Sequence, residues 1–268
     1  MSEQRFEGYR GLRVERDGYV LRVTISNPRS ELNAIDEHLH EELGRLFAEL
    51  KTERDARVVL LRSEGRVFSA GGDFSWFEKL RADGTALETL RHDAKQLIWD
   101  LLDIEVPIVV ALHGHTMGLA ATIALMCDWV VMAEDALIGD PHVRIGVAAG
   151  DGGAAIWPLI LGPLRAKQYL LTGNTIGAAE AERIGLVNEM VTLDRFEARV
   201  EEVVSQLGEQ APLAVRYTKI SVNKLIKESL NIAFDTSLAL ELVTIRSDDQ
   251  GEAMAAKAER RAPKFAGR

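Results

Sequence analysis

The run Val58-Val-Leu-Leu-Arg-Ser-Glu-Gly-Arg-Val-Phe-Ser-Ala-Gly-Gly-Asp73 decides the fold. Val58 to Leu61 is short, apolar and partly β-branched, as in a strand covered on both faces, and it opens onto a glycine-bearing loop, Ser63 to Asp73. Upstream, Leu21, Val23 and Ile25 alternate within residues 19 to 26, and Asn27-Pro28 ends that half-buried strand. Asp36 can then cap a helix in which Leu39, Leu43, Leu46, Phe47 and Leu50 recur at helical spacing. Downstream the succession repeats in outline. A helix over 86 to 104 leads to the strand Pro107 to Leu112, and the loop His113-Gly-His-Thr-Met-Gly118 feeds an apolar helix ending near Cys127. Strands at Trp129 to Ala133 and Ala136 to Ile138 precede a glycine-rich loop and a helix containing Pro163 to Leu171. This alternation predicts an α/β core over residues 1 to 193. From about residue 194 the pattern is helical only, with helices expected at 196 to 207, 212 to 227, 231 to 247 and 249 to 259, and a basic tail.

A chain of 268 residues with 47% hydrophobic and 27% charged residues has ample material for one large domain, or a domain with an appendage. Its 32 basic against 41 acidic residues give a net charge of −9, which repels polyphosphate backbones and disfavours nucleic acid as the main ligand. The single Cys127 forbids an intrachain disulfide, the first residues carry no apolar signal core, and no stretch nears the roughly 18 apolar residues of a membrane span. A soluble, cytoplasmic protein is expected, without membrane or nucleic acid partners.

Phosphate loops, His-Glu-x-x-His, paired Cys-x-x-Cys and Gly-x-Ser-x-Gly are missing from the sequence. Two loops remain, each following a strand and exposing backbone amides beside small residues. The second, at Gly118-Leu119-Ala120, also begins a helix, whose dipole favours negative charge. Converging, the two would form an oxyanion hole, each donor contributing on the order of 3 kcal/mol in the transition state; read alone, they are equally ordinary glycine turns. His113 and His115 lie two apart on a loop and are read as structural, so no metal site is expected. His38 and His40 diverge on their helix, and Cys127 is read as inert core. Trp76 and Phe77 are lid or pocket-wall candidates, with plain core packing equally open.

The motifs resemble the crotonase, or enoyl-CoA hydratase/isomerase, superfamily over nearly the whole chain: Asn27-Pro28 with Leu32-Asn33-Ala34-Ile35, Phe68-Ser-Ala-Gly-Gly-Asp73, His113-Gly114 through Gly118 to Met126-Cys127-Asp128, Thr172-Gly173 with Ala178-Ala179-Glu180-Ala181 and Gly185-Leu186-Val187, and Lys264-Phe265. The resemblance implies an α/β spiral of ββα turns with a C-terminal helical trimerisation segment over 194 to 268, assembled as a homotrimer or a dimer of trimers. It implies an acyl-CoA substrate, coenzyme A being part of that substrate and no cofactor being tightly bound. Carried over, the oxyanion donors are the amides of Gly72 and Leu119. The Ala70 carbonyl meets adenine, Arg66 and Lys264 face phosphates, and Phe265 packs nearby, although Arg66 and Lys264 are equally readable as solvated charges. Asp73 braces its loop.

A hydratase of this family uses two glutamates, whereas Thr122 and His142 stand at those positions here. A threonine hydroxyl does not titrate near neutral pH, so a standard two-glutamate mechanism is excluded. His142 and Asp151 flank a glycine-rich turn, where a carboxylate could orient the imidazole as a general base; the plainer alternative is that both merely cap local structure. This pair, followed by Gly152-Gly-Ala-Ala-Ile-Trp-Pro158, resembles the β-diketone hydrolase branch typified by 6-oxocamphor hydrolase, with Glu241 aligned to its acid but Leu119 in place of its additional histidine. The leading expectation is an enoyl-CoA hydratase/isomerase-like lyase that stabilises a thioester enolate, with His142, Asp151 and Thr122 at the catalytic positions. The alternatives are a retro-Claisen C–C hydrolase of a β-diketone or β-keto thioester, and a non-catalytic scaffold.

Overall fold

The computed structural model describes residues 6 to 268. Strand β1 (Leu12–Asp17) pairs antiparallel with β2 (Val20–Ile25), and α1 (Glu37–Leu50) crosses to β3 (Val58–Ser63), parallel to β2 with Val23 opposite Leu61. Helices α2 (Phe74–Ala82) and α3 (Gly84–Asp103) lead to β4 (Ile108–Leu112), then β5 (His115–Met117), α4 (Leu119–Leu125), β6 (Trp129–Ala133) and β7 (Leu137–Gly139). A single 3-10 turn, His142–Ile145, is followed by α5 (Gly153–Leu161), α6 (Pro163–Leu170), β8 (Ile176–Gly177), α7 (Ala178–Arg183) and β9 (Glu189–Val191). Last come α8 (Phe196–Gly208), α9 (Pro212–Ile245) and α10 (Asp248–Ala258). The main sheet runs β1-β2-β3-β4-β6-β9, parallel except at β1; a smaller sheet, β5-β7-β8, is built from strands interleaved with these along the chain.

The local reasons match the sequence reading. Asp36 caps α1 by accepting from the Leu39 amide, and Leu39, Leu43, Leu46, Phe47 and Leu50 are buried, each contributing about 1.5–3 kcal/mol relative to exposure. β3 and β4 read as continuous apolar runs because both faces are covered. The helical segment begins at Phe196; α8 packs on β3, β4 and β6, and α9 on α3 and α5.

Two expectations need correction. The helices expected at 212 to 227 and 231 to 247 are one continuous helix, α9, because Leu230 is buried and Ser229 donates to the Ala155 carbonyl, carrying the helix through the polar interruption. The strand expected at 136 to 138 is shifted by one residue. Among the described residues, no helix is long and apolar enough to cross a membrane.

Candidate active site

β7 ends at Gly139, and the chain turns through Asp140-Pro141 into the 3-10 turn that presents His142. Asp140 is buried and brackets this turn: its Oδ1 accepts from the His142 amide and lies 2.5 Å from the imidazole Nδ1. The other ring nitrogen, Nε2, lies 3.5 Å from Asp151 Oδ2. His142 and Asp151 therefore meet, as their spacing suggested. The shorter bond, however, comes from Asp140, which the sequence reading passed over and whose place two residues before His142 was the available signal.

Asp151 stands just before α5, where Gly152 takes a φ of 114°; a Cβ there would strike Thr122 Cγ2 at 2.7 Å. Thr122, fully buried on α4, donates its hydroxyl to Asp151 Oδ1 at 3.3 Å. Glu241 arrives from α9, which Ser237 pins to the same loop through the Gly150 carbonyl at 3.1 Å; Glu241 Oε2 is buried without a partner.

Burial dominates the electrostatics. It lifts Asp151 to about 6, against the opposing pull of the His142 charge, and lifts Glu241 well above its ordinary 4.5, with the Asp151 charge adding to the rise. For His142 burial works the other way, but the charges of Asp140 and Asp151 and the Asp140 hydrogen bond outweigh it and hold the imidazole well above 6.5. Asp140, His142 and Asp151 offer donor atoms within 4.8 Å of one another, a set that could hold a metal ion and that the expectation of no metal site did not foresee. Nδ1 is already engaged by Asp140, and burial holds the Asp151 and Glu241 carboxyls above their ordinary values.

A folded-state value above the unfolded one means the native protein keeps a proton that the unfolded chain releases. The stabilisation from Glu241 is therefore whole below about pH 4.5 and is lost as pH rises toward the raised value. Glu241→Gln keeps the shape and cannot ionise. Its thermal midpoint should match the parent's at pH 4 and exceed it at pH 8. Parallel midpoint curves for the two proteins would refute this.

The two loops are braced against each other. Phe68 and Ser69 donate to the His113 and His115 carbonyls at 2.9 Å, and Met117 donates back to Ser69 at 3.1 Å. Gly71 and Asp73 exchange bonds with Ile35, leaving the Gly72 amide between them free, while Leu119 is the first residue of α4. Among the described residues neither the Gly72 nor the Leu119 amide has an acceptor, and both residues line one narrow cleft with His142, Asp151 and Glu241. Gly118, at a φ of 56°, lets the imidazole approach: a Cβ there would lie 3.3 Å from His142 Cε1.

Trp76 and Phe77 line the cleft, and Asp73 caps α2 by accepting from the Ser75 and Trp76 amides. His40, expected to diverge from His38, is buried and lines the cleft too; its place with Leu39 and Leu43 on the buried face of α1 was the missed signal. Ala70 and Arg66 are exposed on the first loop. Lys264 and Phe265 lie on the exposed tail, which folds onto α10 through Lys264 to Glu252 and Ala266 to Asp249; no hydrogen bond or ion pair joins them to Arg66 or Ala70 among the described residues. His113 bonds the Gly65 carbonyl at 3.1 Å, and burial raises the Cys127 thiol, consistent with an inert side chain.

A family profile described as enoyl-CoA hydratase/isomerase matches residues 15–268. A short-chain-enoyl-CoA hydratase of Clostridium acetobutylicum is 30% identical over 254 residues, 92% of this chain and 94% of that one. An enoyl-CoA hydratase/isomerase from Mycobacterium paratuberculosis superposes with a TM-score of 0.87 at 31% identity, over 91% of this chain and 97% of that one. A beta-diketone hydrolase from Anabaena sp. PCC 7120, solved bound to (S)-3-oxocyclohexyl acetic acid, superposes with a TM-score of 0.84 at 28% identity, over 91% of this chain and 98% of that one.

Proposed function

The chain belongs to the enoyl-CoA hydratase/isomerase family, and from that premise we propose that it is a carbon–carbon hydrolase that opens a β-diketone by a retro-Claisen step. The observation carrying this reading is the enclosed set of His142 between Asp140 and Asp151, with the buried Glu241, whose Oε2 has no partner, and two free amides in the same cleft.

Each group has a task in that reaction. Asp140 holds Nδ1–H, leaving Nε2 as the base once the imidazole is neutral. Water bonds to one carbonyl carbon as its proton passes to Nε2. Collapse of the tetrahedral intermediate breaks the bond to the carbon between the carbonyls, and the electron pair stays there as an enolate. The Gly72 and Leu119 amides hold the oxyanion. Glu241, kept protonated by burial, donates a hydrogen bond to a carbonyl oxygen, and the imidazolium returns its proton to the enolate carbon. One water is consumed; a carboxylic acid and a ketone form. Thr122 and Asp151 position the water beside Nε2.

The similarity to the Anabaena beta-diketone hydrolase supports this reading. A second reading, lyase chemistry on an acyl-CoA thioester in the same oxyanion hole, is favoured by the similarity to the Clostridium hydratase. In it Arg66, the Ala70 carbonyl, Lys264 and Phe265 hold coenzyme A, and the exposed apolar face of α9, with Leu225, Ile232 and Val243, packs a homotrimer or a dimer of trimers. The deciding experiment offers the purified protein 2,2-dimethylcyclohexane-1,3-dione and a short 2-enoyl-CoA in parallel. Ring opening to 6-methyl-5-oxoheptanoic acid, seen by mass spectrometry, is expected; hydration of the thioester with the diketone untouched would overturn the hydrolase reading.

A further inference from the structure

Glu241 is flanked on α9 by two hydroxyls. Ser237, Glu241 and Thr244 recur at i, i+4 and i+7 and so share one face of the helix, and that face lies against the loop 147 to 151, which ends in Asp151. Thr244 gives its hydroxyl proton to the Glu241 carbonyl at 2.7 Å, which leaves its oxygen to accept from the Ala148 amide at 2.9 Å. The Ala148 amide has no other acceptor among the described residues. Ser237 shares its proton between the Phe234 carbonyl at 3.0 Å and the Gly150 carbonyl at 3.1 Å.

The two anchors stand about 10 Å apart along the helix axis, at seven steps of 1.5 Å, so together they fix both the place and the direction of the loop. The loop is pressed onto the helix: a Cβ on Gly150 would fall 2.3 Å from the Ser237 carbonyl oxygen and 2.5 Å from Glu241 Cβ. At its start Val147 donates to the His142 carbonyl at 3.0 Å and packs with Leu242 and Ile245 of α9. One helix face thus carries Glu241 and seats the backbone leading to Asp151.

We propose that Thr244 and Ser237 are positioning residues: they hold the loop 147 to 151 on α9 and so set Asp151 where it directs the attacking water, in register with Glu241. This role rests on the hydrolase reading, in which Asp151 has that task. Neither hydroxyl touches the substrate, and both act through Asp151.

The test measures opening of 2,2-dimethylcyclohexane-1,3-dione by the parent, Thr244→Val, Thr244→Ser and Ser237→Ala, and by Asp151→Asn with and without Thr244→Val, with thermal midpoints for all. Valine keeps the branched shape of threonine and loses the acceptor, which serine retains. The expected result is a kcat lowered about tenfold in Thr244→Val with KM changed less than about threefold, a smaller loss in Ser237→Ala, and recovery in Thr244→Ser to within about threefold of the parent. In the Asp151→Asn background the same valine should change kcat less than about twofold, because the side chain it places is already disabled. A packing role predicts the same loss in both backgrounds with lowered midpoints. That result, or parent-like rates in Thr244→Val, would overturn the inference and leave the hydrolase reading standing. Parent-like rates in Asp151→Asn would overturn it as well, since Asp151 would then have no task to be placed for. No ring opening by the parent would overturn the hydrolase reading and this inference with it.

Discussion

Replacing His142 with alanine is expected to lower kcat for diketone opening by roughly 10²- to 10⁴-fold, the range supplied by a well-placed general acid–base group. The loss should fall on kcat more than KM, because the imidazole contributes through protons moved in the transition state. The parent's pH profile gives an independent check. His142 is held well above 6.5 by its two carboxylate neighbours and must be neutral to take a proton from water. Activity should therefore rise on the alkaline side of neutrality, and the rising limb should vanish in the variant. The effect on stability has the opposite sign. The contribution from the charged imidazole is complete below about pH 6.5 and is lost as pH climbs through the raised value. A His142→Ala protein with full turnover would remove His142 from the mechanism.

Asp140→Asn is expected to cost about 10³–10⁴-fold in kcat with little change in fold, by the same tautomer logic that governs Ser-His-Asp enzymes. Asp140 Oδ1 lies 2.5 Å from Nδ1, so an ionised aspartate there favours the neutral tautomer with its proton on Nδ1 and its lone pair on Nε2. An asparagine amide facing Nδ1 would donate instead, driving the proton to Nε2 and disabling the base. Asp151→Asn should cost less, since Asp151 sits 3.5 Å from Nε2 and does not fix the tautomer. Steady-state rates for the two variants decide the order, and a larger loss at Asp151 would return the orienting role to that residue. Nitrogen chemical shifts of the imidazole report the tautomer directly.

The strands and helices with strong periodicity were legible before the structure: Leu21, Val23 and Ile25 on β2, the apolar stripe of α1, and the apolar runs of β3 and β4 all take their expected places. β1 escaped because it is an edge strand whose alternation covers only Leu12 to Glu15 before Arg16 takes the next inward position. The break read between 227 and 231 is absent because tertiary packing, with Leu230 buried and Ser229 bonded to Ala155, overrides local composition. At the cleft, the loop motifs pointed to Gly72 and Leu119, and the spacing of His142 and Asp151 brought those two side chains together. Asp140 and His40 were missed for a shared reason: what matters is where each side chain ends in space. Asp140 differs from any turn-forming Asp-Pro only in meeting Nδ1, and His40 differs from a core histidine only in lacking a partner.

The two free N–H groups of the cleft belong to the main chain at Gly72 and Leu119. No replacement of either residue, proline excepted, deletes a main-chain donor. His142, Asp151, Thr122 and Glu241, by contrast, are each a single codon away from different chemistry. Mutation therefore acts unequally on this protein: the side chains that would move protons are open to exchange, while the donors that would hold negative charge are inherited with the backbone. A library randomised at those four positions would sample new reactions on an unchanged electrophilic seat, and its inactive members would still bind enolate mimics.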